Sequence, residues 1–247
     1  MHFTETKGIK HMKIKHVFFD LDGTLLPMDQ DTFTKLYFKN LAKRLAPLGY
    51  ESEKLISAIW AGTASMVKND GTQTNEDAFW KTFTALFPEK GRADEPIFED
   101  FYKNEFDRAK AACGYTENAK KLIETIKEKN LTLVLASNPI FPMIAQKKRM
   151  VWAGVNPEDF AYITSYENSS YCKPNPAYYT EILEKMNLSP AECLMIGNDA
   201  VEDTAAEKAG MNVFLLTDCL LNKDGRDISQ YTHGTFEDLF RYLSSAI

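Results

Sequence analysis

Two kinds of hydrophobic pattern alternate along the chain. Short runs of consecutive apolar residues, such as Val17-Phe18-Phe19 and Leu133-Val134-Leu135-Ala136, are separated by stretches whose apolar positions recur every three or four residues. Unbroken apolar runs predict strands buried on both faces, and spacing by three and four predicts amphipathic helices. From Thr116 onward the pattern predicts a helix over 117–129, a strand over 131–136 and a helix after Pro142. A weaker strand over 161–164, a helix over 177–186, a strand over 193–196, a helix over 204–209 and a strand over 213–216 follow. Strands separated by helices imply right-handed βαβ units, hence an α/β fold with a doubly wound parallel sheet.

Residues 27–113 differ in character. Phe33, Leu36, Tyr37, Leu41, Leu45 and Leu48 recur at helical spacing, as do Leu55, Ile56, Ile59 and Trp60, and a further helix carries Phe98, Phe101, Tyr102 and Phe106. Ser52 and Thr74 are candidate N-caps. An all-helical insertion of this size predicts a smaller cap domain with its own core, to which the aromatics Trp60, Phe79, Trp80 and Phe83 belong by their spacing, with ligand contacts as the alternative. The stretch 68–74 between two of its helices reads as a solvated turn, with a loop that contacts substrate as the alternative. The expected organisation is an α/β core from 13–26 and 114–247, a helical cap over 27–113, and a leader over 1–12 that is either disordered or precedes a start at Met12.

Composition narrows the classes. A net charge of −6 disfavours nucleic acid as a partner, since phosphate neutralisation needs a basic face. No stretch approaches the roughly 18 consecutive apolar residues of a membrane span. Residues 1–12 lack the apolar centre of a secretory signal, so a cytoplasmic protein is expected. Cys113, Cys172, Cys193 and Cys219 form no Cys-x-x-Cys pair, and the four histidines share no helix face or loop. Neither a zinc site, a disulfide framework nor a histidine metal site is predicted.

The chemistry concentrates at the ends of the apolar runs. Val17-Phe18-Phe19 ends in Asp20-Leu21-Asp22-Gly23-Thr24, and carboxylates at the end of a buried strand are costly unless something compensates them. Asp20 is a candidate nucleophile, and Asp22 is placed to carry a proton to and from a leaving oxygen. A second strand ends in Ser137-Asn138, a hydroxyl and an amide suited to phosphoryl oxygens, although a serine there more often caps the next helix. Lys173, between Cys172 and Pro174 in a proline-fixed loop, offers an ammonium able to neutralise an aspartate and a phosphate. The strand 193–196 runs into Gly197-Asn198-Asp199 and then Glu202-Asp203. With Asp20, Asp199 and Asp203 offer the oxygen donors of a hard divalent cation, or else they complement the dipole of the following helix.

In this order, an aspartate pair, a serine, a lysine and a final acidic cluster, the chain resembles the haloacid dehalogenase superfamily of hydrolases, with a Rossmann-like core. The resemblance spans Asp20 to Asp203 and extends into Ala205-Ala206-Glu207-Lys208-Ala209-Gly210-Met211. It implies a covalent phosphoaspartate on Asp20, with Asp22 as general acid and base, and phosphoryl oxygens held by Ser137, Asn138 and Lys173. It implies magnesium bound by the Asp20 carboxylate, the main-chain carbonyl of Asp22 and an acid of the last motif. Relatives commonly carry that acid directly after the glycine, where this chain has Asn198. Asp199 is therefore the preferred ligand, with Asn198 and Asp203 as further candidates.

The resemblance makes a magnesium-dependent phosphatase acting on a small phosphorylated metabolite the expected function, in a monomer or small homo-oligomer. Dehalogenases and phosphonatases of the superfamily lack an aspartate at the place of Asp22. A phosphomutase using the same residues is the nearest alternative, and a noncatalytic binding protein that keeps the fold is the alternative of a different class.

Overall fold

The computed structural model describes residues 14–246, so the expectation for residues 1–12 lies outside the described residues. Six strands, β1 (His16–Phe19), β2 (Thr132–Leu135), β3 (Tyr162–Ile163), β4 (Cys193–Gly197), β5 (Asn212–Leu216) and β6 (Thr232–Gly234), form one sheet. Every pairing is parallel, in the order β3-β2-β1-β4-β5-β6. Central β1 carries β2 on one side and β4 on the other, so the winding direction reverses at β1. Ligands of open parallel sheets bind at the carboxyl ends of the strands beside such a reversal.

The continuous apolar runs follow from burial on both faces. Val17, Phe19, Leu133, Leu135, Leu194 and Ile196 point to one side, where they join a large apolar cluster. Phe18, Val134, Ala136 and Met195 point to the other, against Tyr178, Tyr179 and Ile182 of α7. The outer helices α5 (Glu117–Glu128), α6 (Met143–Trp152), α7 (Pro176–Met186) and α8 (Phe236–Ala246) complete the layers. The pair β6 and α8 lies beyond the last strand that the hydrophobic pattern predicts. The expected helix over 204–209 is a 3-10 helix, Thr204–Ala209. It is too short to develop α-helical hydrogen bonding, and it opens at a residue fixed by the site described below.

Between β1 and α5 lie four helices, α1 (Gln30–Leu45), α2 (Ser52–Val67), α3 (Asn75–Leu86) and α4 (Glu95–Asn104). Thr74 caps α3, its Oγ1 accepting from the Asp77 N–H. The cap of α2 is Glu51 instead of Ser52, because the longer carboxylate reaches the N–H groups of both Glu53 and Lys54. Phe106 falls outside α4, in a 3-10 stretch over Phe106–Ala112. Gly62 allows α2 and α3 to touch, since a Cβ there would stand 2.5 Å from a ring carbon of Phe79.

Two expectations for this insertion change. Its apolar residues do not close on themselves, because Phe33, Tyr37, Phe79, Phe98 and Phe106 belong to the same cluster as Val17 and Leu133 of the sheet. The stretch 68–74 is not a plain solvated turn either. Asn69 is buried and donates to Asn75 Oδ1 at 2.9 Å, and Gly71 fits directly against the Tyr171 ring. Asn75, fully buried, then donates to the carbonyls of Pro139 and Tyr171. Helix α3 is thereby tied to the loops that follow β2 and precede α7.

Candidate active site

The carboxyl ends of β1, β2 and β4 meet in register. The Asp20 N–H donates to the Ile196 carbonyl at 2.9 Å, and the Ala136 N–H to the Phe19 carbonyl at 2.7 Å. Gly23, with φ of 93°, lets the chain fold back after Asp22, so that Leu26 N–H reaches the Leu21 carbonyl at 2.8 Å. A side chain at Gly23 would also collide with Asn198. Asp20 and Asp22 therefore both face one cavity of about 390 Å³, shared with Ser137, Asn138, Asn198 and Asp199.

Lys173 is the hub of the charged groups. Only 1% exposed, it donates from Nζ to Asp20 Oδ1 at 2.8 Å and to Asp203 Oδ1 at 2.7 Å. The loop is fixed by Pro174 and by Asn175, which caps α7 ahead of Pro176. Burial alone would depress the ammonium, but Asp20 and Asp203 overcome it and hold the lysine well above its usual pKa. Burial pushes Asp203 up to about 6 and also raises Asp20, although Lys173 pulls both down. Two carboxylates sharing one ammonium leave surplus negative charge.

Asp203 has no oxygen to spare, since Oδ2 accepts from the Asp199 N–H at 2.8 Å. Gly197 makes this possible, for a Cβ there would lie 2.1 Å from the Asp203 carboxyl carbon. Asp199 turns Oδ1 to the N–H groups of Val201 and Glu202, at 2.7 and 2.9 Å, in the helix-capping manner. Asn198 points Nδ2 at the Cys219 carbonyl and Oδ1 at Thr24 Oγ1, 3.0 Å away. Thr24 Oγ1 in turn lies 3.5 Å from Asp20 Oδ2.

Ser137 does not cap α6, whose N-cap is Pro142. Its carbonyl is anchored by Thr164 Oγ1 and the Tyr178 hydroxyl, both at 2.8 Å, and its own hydroxyl has no protein partner among the described residues. Asn138 donates to both oxygens of Glu202, at 3.1 and 3.2 Å. Burial pushes Glu202 up to about 7, against the pull of Lys173 and with Asp203 and Asp20 adding to the rise.

Arg149 was absent from the sequence expectations, and Glu202 and Thr24 entered them only as members of the strand-end runs, with no role given. Arg149 is fully buried, pairs with Asp22 Oδ2 and Gln146 Oε1, and lies 4.7 Å from the Phe141 ring centre. Asp22 Oδ1 is buried without a partner. A signal for Arg149 does exist in the sequence: it falls on the same face of α6 as the buried Ala145 and Trp152.

Among the described residues no three His, Cys, Asp or Glu side chains converge as a cation cage. The donors around Asp20 are nonetheless all oxygens. The Asp22 carbonyl accepts no hydrogen bond among the described residues, and Asp20 Oδ2 has only the long contact with Thr24. Oxygen-only donors beside surplus negative charge fit a hard divalent cation.

Strand order, reversal point and aspartate-lysine cluster together define a Rossmann-like core with a charged site at the carboxyl ends of its central strands. Residues 14–210 match the model of the haloacid dehalogenase-like hydrolases. The chain belongs to that family and is a hydrolase. It is similar to the glyceraldehyde 3-phosphate phosphatase of Methanothermobacter thermautotrophicus, 26% identical over 232 residues that cover 87% of this chain and 94% of the relative. A 2-haloacid dehalogenase of Pseudomonas syringae has the same fold, with a TM-score of 0.61, 18% identity and coverage of 94% of this chain and 98% of the other. So has the candidate hydrolase YfnB of Bacillus subtilis, solved bound to magnesium, with a TM-score of 0.55, 17% identity and coverage of 94% and 99%. Among the described residues no helix is long and apolar enough to cross a membrane.

Proposed function

We propose that this protein hydrolyses a phosphomonoester of a small metabolite through a phosphoaspartate on Asp20. The observation that carries the reading is the buried Lys173, which bridges Asp20 and Asp203, two residues on the wall of a cavity that Ser137 and Asn138 also line. An ammonium so placed favours the ionised nucleophile and offsets charge on a phosphoryl group. Asp203, with both oxygens committed, fixes the lysine. The phosphatase relative and the aspartate at position 22 favour a phosphate ester over a carbon-halogen bond as the substrate.

In the first step an Asp20 oxygen forms a bond to phosphorus while the bond to the ester oxygen breaks, the electron pair leaving with that oxygen. Asp22 gives the departing oxygen its proton. Arg149 holds Asp22 by Oδ2, so Oδ1, which has no protein partner, is the atom placed to carry that proton. In the second step Asp22 takes a proton from water as the water attacks phosphorus, and the Asp20 carboxylate is released. Ser137 donates to a phosphoryl oxygen throughout. Asn138 joins it on leaving Glu202.

A magnesium ion bound by Asp20, the Asp22 carbonyl and Asp199 or Asn198 would add the positive charge that phosphoryl transfer requires. The reading is tested by phosphate release from a panel of esters with magnesium. Wild type should be active, Asp20→Asn inactive, and acid-quenched wild type should carry phosphate on Asp20. Release that persists in Asp20→Asn would remove the proposal.

A further inference from the structure

We propose that the alcohol leaving from the phosphate is a planar, largely apolar aromatic or heteroaromatic group, not a sugar or polyol. This rests on the phosphomonoester reading of the same cavity. The two ends of that cavity differ in kind. Its charged side chains all come from the α/β part, and none of the residues that the insertion places on the wall is charged.

The insertion offers rings instead. Phe38 and Trp60 lie 5.4 Å apart, and Phe79 and Trp80 lie 5.3 Å apart, all four on the cavity wall. Trp60 is 52% exposed while its helix neighbours Leu55 and Ile59 are buried. Its spacing assigns it to a core, yet it stands on the cavity wall with much of its surface uncovered. A bare indole there gains by stacking on a ligand ring, through both buried area and ring geometry.

Several polar groups on this wall are already engaged. The hydroxyls of Tyr37 and Tyr102 bond each other at 2.8 Å, and Thr63 donates back to the Ile59 carbonyl at 2.9 Å. Arg149 is spent on Asp22 and Gln146, and the other cation on the cavity, Lys223, comes from the α/β part, so the ring-lined wall offers a second anionic group no cation. Gln30, Thr34 and the Trp60 indole N–H remain, enough for a ring heteroatom or one substituent. The several hydroxyls of a sugar would lose water here with too few partners to replace it, which is unfavourable for each one left unpaired.

The test uses the full-length, magnesium-loaded enzyme with naphthylmethyl phosphate and benzyl phosphate against glycerol phosphate and a hexose phosphate esterified at its primary hydroxyl. All four release a primary alcohol, so differences report recognition more than leaving-group chemistry. The arylmethyl esters should be preferred by about tenfold or more in kcat/KM. Trp60→Ala should raise KM for naphthylmethyl phosphate roughly tenfold, more than for glycerol phosphate, and Trp60→Phe should restore most of the loss. Equal or better turnover of the polyol esters, or a Trp60→Ala effect of the same size on every ester, would overturn the proposal. If no ester is hydrolysed, calorimetry with nonhydrolysable naphthylmethylphosphonate separates the two readings. Tight binding weakened by Trp60→Ala upholds the ring site while the phosphatase reading falls, and absence of binding removes the ring site.

Discussion

A lysine is ordinarily a solvated residue, and Lys173 shows what makes an exception. Its ammonium is buried because two carboxylates, one at the end of β1 and one at the start of the 3-10 helix after β4, close over it, and removing it would leave Asp20 and Asp203 facing each other without a counter-charge. Lys173→Met should lower kcat by about 10²–10³-fold, the scale of losing one charge-stabilising group. It should also destabilise the fold by about 3–5 kcal/mol near neutral pH. Both buried acids already bind protons more readily folded than unfolded. The stability deficit should therefore shrink as pH falls below the Asp203 value of about 6, which urea denaturation across pH would reveal. Arg149 makes the matching point for Asp22: a cation on the buried stripe of an amphipathic helix signals a partner carboxylate elsewhere in the chain.

At the scale of elements, the first turn of α3 joins the helical insertion to the site loops. Asn75→Ala would strip donors from the carbonyls of Pro139 and Tyr171, and should cost about 1–3 kcal/mol in chemical denaturation. Because both carbonyls lie in loops beside the site, KM should rise as well. The next residue, Glu76, is pushed up to about 7 from 4.5 by burial and then by Glu95, against the pull of Arg92. A carboxyl whose folded pKa is raised holds its proton better in the folded state. Its contribution is complete below about pH 4.5 and is lost as pH rises through about 7. Glu76→Gln should therefore be more stable than wild type at about pH 8, by about 1–3 kcal/mol after allowance for partial exposure. The difference should vanish in acid, and paired melts at the two pH values would check it.

For the whole molecule, surplus negative charge at the reversal point of the sheet makes stability responsive to a divalent cation. A ligand that binds only the folded state stabilises it, by about 2.7 kcal/mol at a hundredfold excess over Kd. Magnesium should raise Tm in wild type and do so much less in Asp20→Asn. Asp199→Asn and Asn198→Ala, compared in the same way, would assign the remaining ligand, with the larger loss of the magnesium shift marking it. Chelation should reverse the shift without unfolding the protein, since both sheet faces are covered by apolar clusters independent of the cation.

The sequence by itself determined the parallel sheet, because burial on both faces demands unbroken apolar runs and helical crossovers demand spacing by three and four. It also brought Asp20, Asp22 and Ser137 to notice, since polar groups directly after such runs sit at strand ends, and Lys173 by the prolines that fix its loop. Strand β6 escaped it because Thr232–Gly234 is largely exposed and has no apolar run, whereas α8 was legible in the spacing of Phe236, Leu239, Phe240 and Leu243. Only the tertiary structure decided what the polar groups do to one another: that Asp203 spends its oxygens on Lys173 and the Asp199 N–H, that Arg149 reaches Asp22, and that Trp60 faces a cavity instead of a core. Periodicity reports which face of a helix is apolar. Whether that face meets another side chain or an open space depends on residues up to 174 positions apart being brought together, as Thr24 and Asn198 are, and no local pattern carries that information.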